Sequence, residues 1–286
     1  MSTTRAANSV RTRRGGRSRV AMPVRLRSAT VLTVASLTGL VMFLWPLLVR
    51  VRFEGQVIQP PFIFALLLPV VIAVCLAEFS EGGMDSKVLA MLGVLTAINV
   101  VMRGLSAGMA GIELVFFLLI LGGRVFGAGF GFVLGCTSLF ASALLTAGVG
   151  PWLPFQMLAS AWIGMGAGLL PRRVRGAKEI AMLVVYGIVA AFVFGLLMNM
   201  SSWPFLLGVE VQGYAGELSF VPGAPLEENL QRFGVYTLLT STGSWDLGRA
   251  ITNTIALVVL GPAVLTTLRR AKRRAVVVPD TPEPHR

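Results

Sequence analysis

The sequence predicts an all-α, polytopic membrane protein of about eight transmembrane helices. Hydrophobic residues make up 55% of the 286-residue chain and charged residues only 13%, and the mean hydropathy is +0.77. These values are typical of membrane proteins rather than of soluble globular domains. The apolar residues also fall into runs close to the roughly 20 residues that a helix needs to cross a bilayer.

Eight apolar segments follow one another along the chain. The fourth is short, so it is expected to be tilted or partly re-entrant. The first follows an arginine-rich start and lacks a small-residue cleavage pattern, which favours an uncleaved signal anchor. The segments cover 29–49, 60–78, 88–102, 110–122, 125–148, 154–170, 180–200 and 246–268.

Composition divides the chain into four parts. Both ends are polar and poor in apolar residues, so each is expected to be a disordered cytoplasmic tail. Two spans precede the polar stretch near residue 80, and the other six follow it. The parts are a basic tail over 1–28, two extra N-terminal spans over 29–86, a six-helix core over 87–270 and a second tail over 271–286.

Charge distribution predicts the topology. Eight crossings place both termini on one side, which then carries twenty Lys and Arg residues against five on the other side. The positive-inside rule makes the first side cytoplasmic and the chain a multi-pass protein of the plasma membrane. Its basic residues are split among short segments next to apolar runs, a poor footprint for nucleic acid, so membrane lipid rather than nucleic acid is the expected neighbour of these segments.

A long polar connection, about 201–245, is expected on the outer side. Within it, Leu226 to Leu239 reads as a short amphipathic helix over the outer face, with a plain surface loop as the alternative.

No pattern in the sequence points to catalysis, a metal or a cofactor. A G-x-x-x-x-G-K-[ST] loop is absent, so the chain is not expected to hydrolyse ATP. Gly127, Gly129 and Gly131 follow no strand and fit close helix packing better than a dinucleotide loop. Cys75 and Cys136 lie in apolar runs and read as small buried hydrophobes rather than as a disulfide or metal ligands.

Polar residues gather at the predicted outer ends of several spans. Glu113 is a costly intramembrane carboxylate, so it is either functional or paired with Arg103, and one pair could serve both purposes. Trp152 and Gln156 belong to the irregular segment GVGPWLPFQM (148–157), whose freed backbone groups must be packed by protein or line a wet cavity. Trp152 could equally anchor a helix at the headgroups, whereas a buried Gln156 needs hydrogen-bonding partners.

The last span adds three polar residues at its start. Asp246, Arg249 and Asn253 follow i, i+3, i+7 spacing and share one helical face. An ion pair between Asp246 and Arg249 is the structural alternative to ligand binding. The complete set expected to line a pocket open to the outside is Arg103, Glu113, Trp152, Gln156, Asp246, Arg249 and Asn253.

The third span carries a face of small residues. Ala90, Gly93 and Ala97 lie close together on the helix, and Gly93-x-x-x-Ala97 is a small-xxx-small pattern that permits close approach by another helix. The face is therefore a candidate contact for a partner protein.

Three stretches of the core carry a family resemblance. They are the small-residue helix that ends in Arg103, GIELVFFLLILGGRVFGAGFGFVLG (111–135) and GVGPWLPFQM, the last being the most specific. Through them, residues 87–270 resemble the substrate-binding S components of energy-coupling factor (ECF) vitamin transporters. They look closest to the cobalamin-type and uncharacterised S components of actinobacteria.

The resemblance implies a subunit that captures a vitamin outside the cell and carries out no covalent chemistry. S components act with a transmembrane coupling protein and two cytoplasmic ATPases, and they topple in the membrane. Their Ala-x-x-x-Ala motif contacts the coupling protein, and its equivalent here reads Gly93-x-x-x-Ala97. The family core has six spans, so the two N-terminal spans are additional.

Two other functions stay open. The chain could be a proton- or ion-coupled secondary transporter with Glu113 as its titrating group. It could also be a membrane scaffold or enzyme subunit without a ligand of its own. The sequence does not specify a substrate, and cobalamin is an expectation from the resemblance only.

Overall fold

The computed structural model of the chain describes residues 26–48, 86–106, 112–146, 148–206, 208, 211 and 214–275. These residues contain helices and no strand, which confirms the all-α fold class. A 3₁₀ turn, Trp203–Phe205, follows α6, and a π-helical segment, Leu238–Asp246, joins α7 to α8. The α-helices are α1 (Leu26–Leu48), α2 (Ser86–Ser106), α3 (Val115–Phe126), α4 (Ala128–Leu145), α5 (Leu153–Leu169), α6 (Ala177–Ser202), α7 (Leu226–Thr237), α8 (Leu247–Val259) and α9 (Gly261–Ala275).

Helix α3 is the centre of the bundle. Eleven of its twelve residues are buried, and it contacts α2, α4, α5, α6, α8 and α9. A helix that is apolar on every side is stable where other helices surround it. The central position of α3 therefore follows from the uniform run VFFLLILGG within it.

The outer surface of the bundle is apolar along several helices. Val101 on α2, Val185 on α6 and Val258 on α8 are each more than half exposed, and a surface of this kind suits lipid rather than water. Among the described residues, three helices are long and apolar enough to cross a membrane, Ser86–Leu105, Ala128–Leu145 and Ala177–Phe205, and a bent helix pair raises the number to four. The protein is thus a membrane protein, while the count of eight spans stays a prediction because 60–78 lies outside the described residues.

Glycines allow α3, α4 and α5 to pack closely. Gly123, Gly131 and Gly164 meet at one crossing, where a Cβ atom on any of them would collide with the backbone of a neighbour. Gly135 lies in the same way against the backbone of Ala161. The structure therefore confirms that the glycine-rich run serves helix packing.

The ends of the fourth predicted span, 110–122, were wrong. Helix α3 starts at Val115 and includes Gly122 and Gly123, because these glycines are packing positions rather than a break. The chain reverses instead at Gly127, whose φ of 112° suits glycine. As a result, Arg124 lies in the last turn of α3 rather than in a loop, and Glu113 precedes the helix instead of lying one turn inside it.

The bounds of the last predicted span, 246–268, also differ from those in the structure. The helix runs from Leu226 to Val259 and then bends by 65° into α9. Pro262 explains the bend, since proline removes a backbone donor and crowds the preceding turn. The amphipathic helix predicted from Leu226 is confirmed as α7, but it continues into the span, and α9 extends to Ala275, inside the tail predicted from residue 271.

The first N-terminal helix is part of the bundle. Trp162 on α5 donates from Nε1 to Ser36 Oγ on α1 at 3.0 Å. The ring of Phe43 packs edge-on against Phe155, with centroids 4.8 Å apart. These contacts give α1 a structural role that the sequence left unexplained.

Candidate ligand-binding site

Six of the seven predicted site residues meet on the side of the bundle away from α9, at the level where the π-helical segment that follows α7 ends, here called the α7 end. We call the group the charged cluster. It takes residues from α2, α5 and α8, from the C-terminal end of the π-helical segment and from the segment before α3. Its members are Arg103, Glu113, Gln156, Asp246, Arg249 and Asn253.

Arg249 links the two carboxylates of the charged cluster. Its Nε donates to Glu113 Oε2 at 2.6 Å, and its Nη1 donates to Asp246 Oδ1 at 2.9 Å. The guanidinium also lies 4.9 Å from the ring centre of Phe194, within range of a cation–π interaction. The Asp246–Arg249 pair is confirmed. Glu113 forms an ion pair with Arg249, and the alternative of a Glu113–Arg103 pair stays a prediction.

Two amides complete the charged cluster. Arg103 donates from Nη2 to Gln156 Oε1 at 2.9 Å. Asn253, fully buried, donates from Nδ2 to the backbone oxygens of Glu113 at 2.7 Å and Arg249 at 2.9 Å. Arg103 is also near enough to Glu113 and Arg249 to feel both charges, so the two halves of the cluster form one electrostatic site.

The π-helical segment holds Asp246 in position. Asp246 is 1% exposed, and its Oδ2 accepts a hydrogen bond from Ser241 Oγ, five residues earlier, at 2.7 Å. Gly195 on α6 lies directly against the carboxylate, where a Cβ atom would collide with it. The wider π turn and this glycine together allow a buried carboxylate to face Arg249.

The side chain of Trp152 makes no described hydrogen bond to a side chain of the charged cluster. Its ring is 50% exposed, and its Nε1 donates to Gly148 O at 3.3 Å within the same loop. The loop therefore uses Trp152 as packing for its own glycines, and Gln156 reaches the cluster because it lies inside α5.

One buried amide that was not predicted from the sequence lies one helical turn from Arg103 of the charged cluster. Asn99 is fully buried, and neither atom of its amide has a hydrogen-bonding partner in the described part of the chain. The same holds for Asn253 Oδ1 and for three hydroxyls on α4 and α5. Unpaired buried groups of this kind are rare in proteins and call for an explanation. The hydroxyls belong to Ser138, Ser142 and Ser160.

Two contacts fix where Asn99 lies. Thr96 Oγ1 is 2.9 Å from Thr137 Oγ1, and Arg103 reaches Gln156, so one face of α2 turns towards α4 and α5. Asn99 lies on that face between Thr96 and Arg103, at i, i+3, i+7 spacing. Ser160 lies one turn from Gln156 on α5, so Asn99 and Ser160 are both one turn beneath the Arg103–Gln156 bond. The i, i+4 relation of Asn99 to Arg103 is the sequence signal that could have found it.

A second set of ionised residues lies at the opposite end of the bundle, the α9 end. We call it the Glu179 network. Glu179 Oε1 accepts from Arg124 Nε at 2.7 Å and from Arg269 Nη2 at 2.6 Å. Arg124 also donates to Leu170 O at 3.0 Å and to Val174 O at 3.1 Å. Each guanidinium nitrogen of Arg124 is therefore in use, which indicates a structural role.

The small-residue face of α2 is free in the described structure. Ala90, Gly93 and Ala97 are exposed, and no described atom lies within 4 Å of a Cβ built on Gly93. Gly104 extends the same face and is equally open. Within the described part of the chain, no other helix covers this face.

The structure describes no group of three or more His, Cys, Asp or Glu residues placed to hold a metal ion. Cys136 is buried and its Sγ lies 3.9 Å from Met157 O. Cys75 lies outside the described residues.

Comparison with known protein families identifies the family of the chain. The sequence model of the ECF transporter, substrate-specific component, matches residues 87–279. The chain belongs to this family. ECF substrate-specific components are transport subunits that associate with the transmembrane and ATPase components of the importer, and they are not enzymes. No curated protein and no solved structure matches the chain.

Proposed function

We propose that this ECF substrate-specific component binds a small polar micronutrient at the charged cluster. The observation that supports the proposal is the unused hydrogen-bonding capacity of Asn99 and Asn253 beside ionised side chains. A buried polar group without a partner costs roughly 1–3 kcal/mol, so it persists where a ligand can supply the missing partner. Hydrogen bonds join α2 to α5 and α8 to the segment before α3, which gives the site a defined shape.

The charge balance of the cluster favours a neutral or zwitterionic ligand. Arg103 and Arg249 oppose Glu113 and Asp246, so the four side chains sum to zero when ionised. A ligand with one net charge would leave a charge uncompensated in a site of low dielectric constant. Asn99 and the Ser160 hydroxyl would then receive an uncharged part of the ligand that carries both donors and acceptors.

The α7 end is proposed to face the outside and the α9 end the cytoplasm. The positive-inside rule supports this orientation, because the clusters of Lys and Arg after residue 268 and over 172–178 lie at the α9 end. The ligand would then enter from outside at the charged cluster. Ala90, Gly93 and Ala97 would contact the transmembrane coupling protein, which acts with two ATPases.

Ligand identification tests the proposal. The full chain is purified in detergent, and small molecules that it retains are identified by mass spectrometry, with cobalamin one member of the reference panel. We expect the protein to retain a polar micronutrient. We also expect the Arg249→Met variant to bind this molecule at least about tenfold more weakly. Absence of any retained molecule, with no thermal shift across a vitamin panel, would favour a scaffold subunit instead.

Uptake measurements separate the ECF mechanism from secondary transport. We expect uptake of the identified ligand to stop when the partner ATPases are inactivated. Uptake that survives this inactivation and collapses with the proton gradient would favour the secondary transporter that uses Glu113.

A matched pair of substitutions tests the contact with the coupling protein. Ala97→Leu adds bulk to the small-residue face of α2, whereas Ala181→Leu makes the same change at an exposed position of α6. We expect Ala97→Leu to weaken co-purification with the coupling protein and to leave ligand affinity unchanged. If both variants co-purify equally well with the coupling protein, the small-residue face of α2 does not contact it.

A further inference from the structure

The α9 end of the bundle combines two basic segments into one surface. The first is the connection between α5 and α6, where Arg172, Arg173 and Arg175 are exposed, and the second is α9, where Arg270, Arg273 and Arg274 are exposed. We call these six residues the basic surface. None of them takes part in an ion pair with a carboxylate among the described residues.

The Glu179 network holds the two segments together. Arg124 fixes the connection through Leu170 O and Val174 O, and it shares Glu179 with Arg269 of α9. Lys272 of α9 donates to Val125 O at 2.6 Å and lies close enough to Arg172 for their charges to repel. The network thus keeps like charges next to each other, at a cost that an anionic partner would offset.

Helix α9 has the form of an interfacial helix. Leu265 and Leu268 are buried against the bundle, whereas its arginines near the C-terminus point to the surface. The helix is bent by 65° from the long helix that precedes it, so it runs nearer to the membrane plane than that helix does. A basic amphipathic helix in this position is typical of contact with anionic headgroups.

Exposed apolar residues lead directly to the basic surface. Val259 and Leu260, which precede α9, are 67% and 51% exposed, and Leu169, which precedes the arginine-rich connection, is 67% exposed. A molecule that fits this arrangement has an anionic head and apolar chains. A soluble acidic protein would match the charges but not the adjoining apolar positions.

We propose that the basic surface binds an anionic phospholipid of the adjacent leaflet. Its phosphate would lie among Arg270, Arg273 and Arg274 and the arginines of the α5–α6 connection, and its acyl chains would lie along Leu169 and Val259. This binding is separate from the charged cluster, so it does not depend on the proposed micronutrient.

Native mass spectrometry of the full chain tests the lipid proposal. The protein is released from nanodiscs that contain equal parts of phosphatidylglycerol and phosphatidylcholine, and bound lipids are counted for each class. We expect phosphatidylglycerol to dominate, and we expect the joint substitution R270Q, R273Q and R274Q to reduce its excess by about tenfold or more. The charge-keeping substitution R270K, R273K and R274K should retain the preference for phosphatidylglycerol.

Several outcomes would overturn the proposal. Equal retention of both lipids by the unaltered chain would do so, as would an unchanged phosphatidylglycerol excess in the glutamine variant. Displacement of phosphatidylglycerol by millimolar inorganic phosphate would indicate a site for a free anion. If the glutamine variant fails to fold, a phosphatidylglycerol excess in the unaltered protein that does not decline with added salt would contradict the charge-based account.

Discussion

Both ends of the bundle place arginines around carboxylates, but they differ in whether nearby buried polar groups have hydrogen-bonding partners. In the Glu179 network, Glu179 accepts from two arginines, and the three side-chain nitrogens of Arg124 donate to Glu179, Leu170 O and Val174 O. In the charged cluster and one turn from it, the amides of Asn253 and Asn99 keep buried atoms without described partners. A saturated network stabilises the fold, whereas unused buried capacity indicates a place for a ligand.

The largest expected effect concerns stability at the α9 end. Glu179→Gln removes the shared charge and leaves Arg124 and Arg269 without a counter-ion, so we expect a loss of about 3–5 kcal/mol in the free energy of unfolding. Unfolding in detergent, followed by circular dichroism, measures the loss. Glu228→Gln is the control, because the Glu228–Arg232 pair is exposed and should contribute less than about 1 kcal/mol. Equal stability of the two variants would show that the Glu179 network is not structural.

A smaller effect is expected from Gly195→Ala at the α7 end. The added methyl group collides with the Asp246 carboxylate, so it should displace Asp246 from Arg249 and cost about 1–3 kcal/mol in stability. Ligand affinity, measured by calorimetry with the retained molecule, should fall with it. Gly234→Ala provides the comparison, since no described atom lies within 4 Å of its added Cβ and alanine favours helix. An affinity that is unaltered in Gly195→Ala would mean that Asp246 does not shape the site.

The smallest effect is expected from Trp152→Phe. The ring is half exposed and its one described hydrogen bond goes to Gly148 in the same loop. We expect a change of less than about 0.5 kcal/mol in stability and no measurable change in ligand affinity. A clear loss of affinity would restore Trp152 to the binding site and would move the site towards the loop.

Much of the fold could be predicted because apolar runs of suitable length specify helices directly. The gathering of Arg103, Gln156 and Arg249 could also be anticipated, since polar residues at the ends of spans have few other places to go. Which of these side chains bond to each other could not be predicted. Glu113 and Arg249 are 136 residues apart in sequence, and only the packing of α3 against α8 brings them together.

The differences between the predicted and the observed structure have local causes. Pro262 predicts the bend after Val259, but the apolar residues on both sides of it favour one continuous span. Asn99 looked like one amide in an apolar helix, and its burial depends on which face of α2 turns towards α4. The glycines at 122 and 123 resembled a helix end because close packing and chain reversal both favour glycine.

Asn99→Leu tests the central claim most directly. Leucine has a similar size and removes the unpaired amide, so the free energy of unfolding should stay equal or rise, while affinity for the retained ligand should fall at least about tenfold. Both quantities are measured on the same purified protein, by detergent unfolding and by calorimetry. Lower stability with unchanged affinity would contradict the account, because it would show that Asn99 supports the fold and does not bind the ligand.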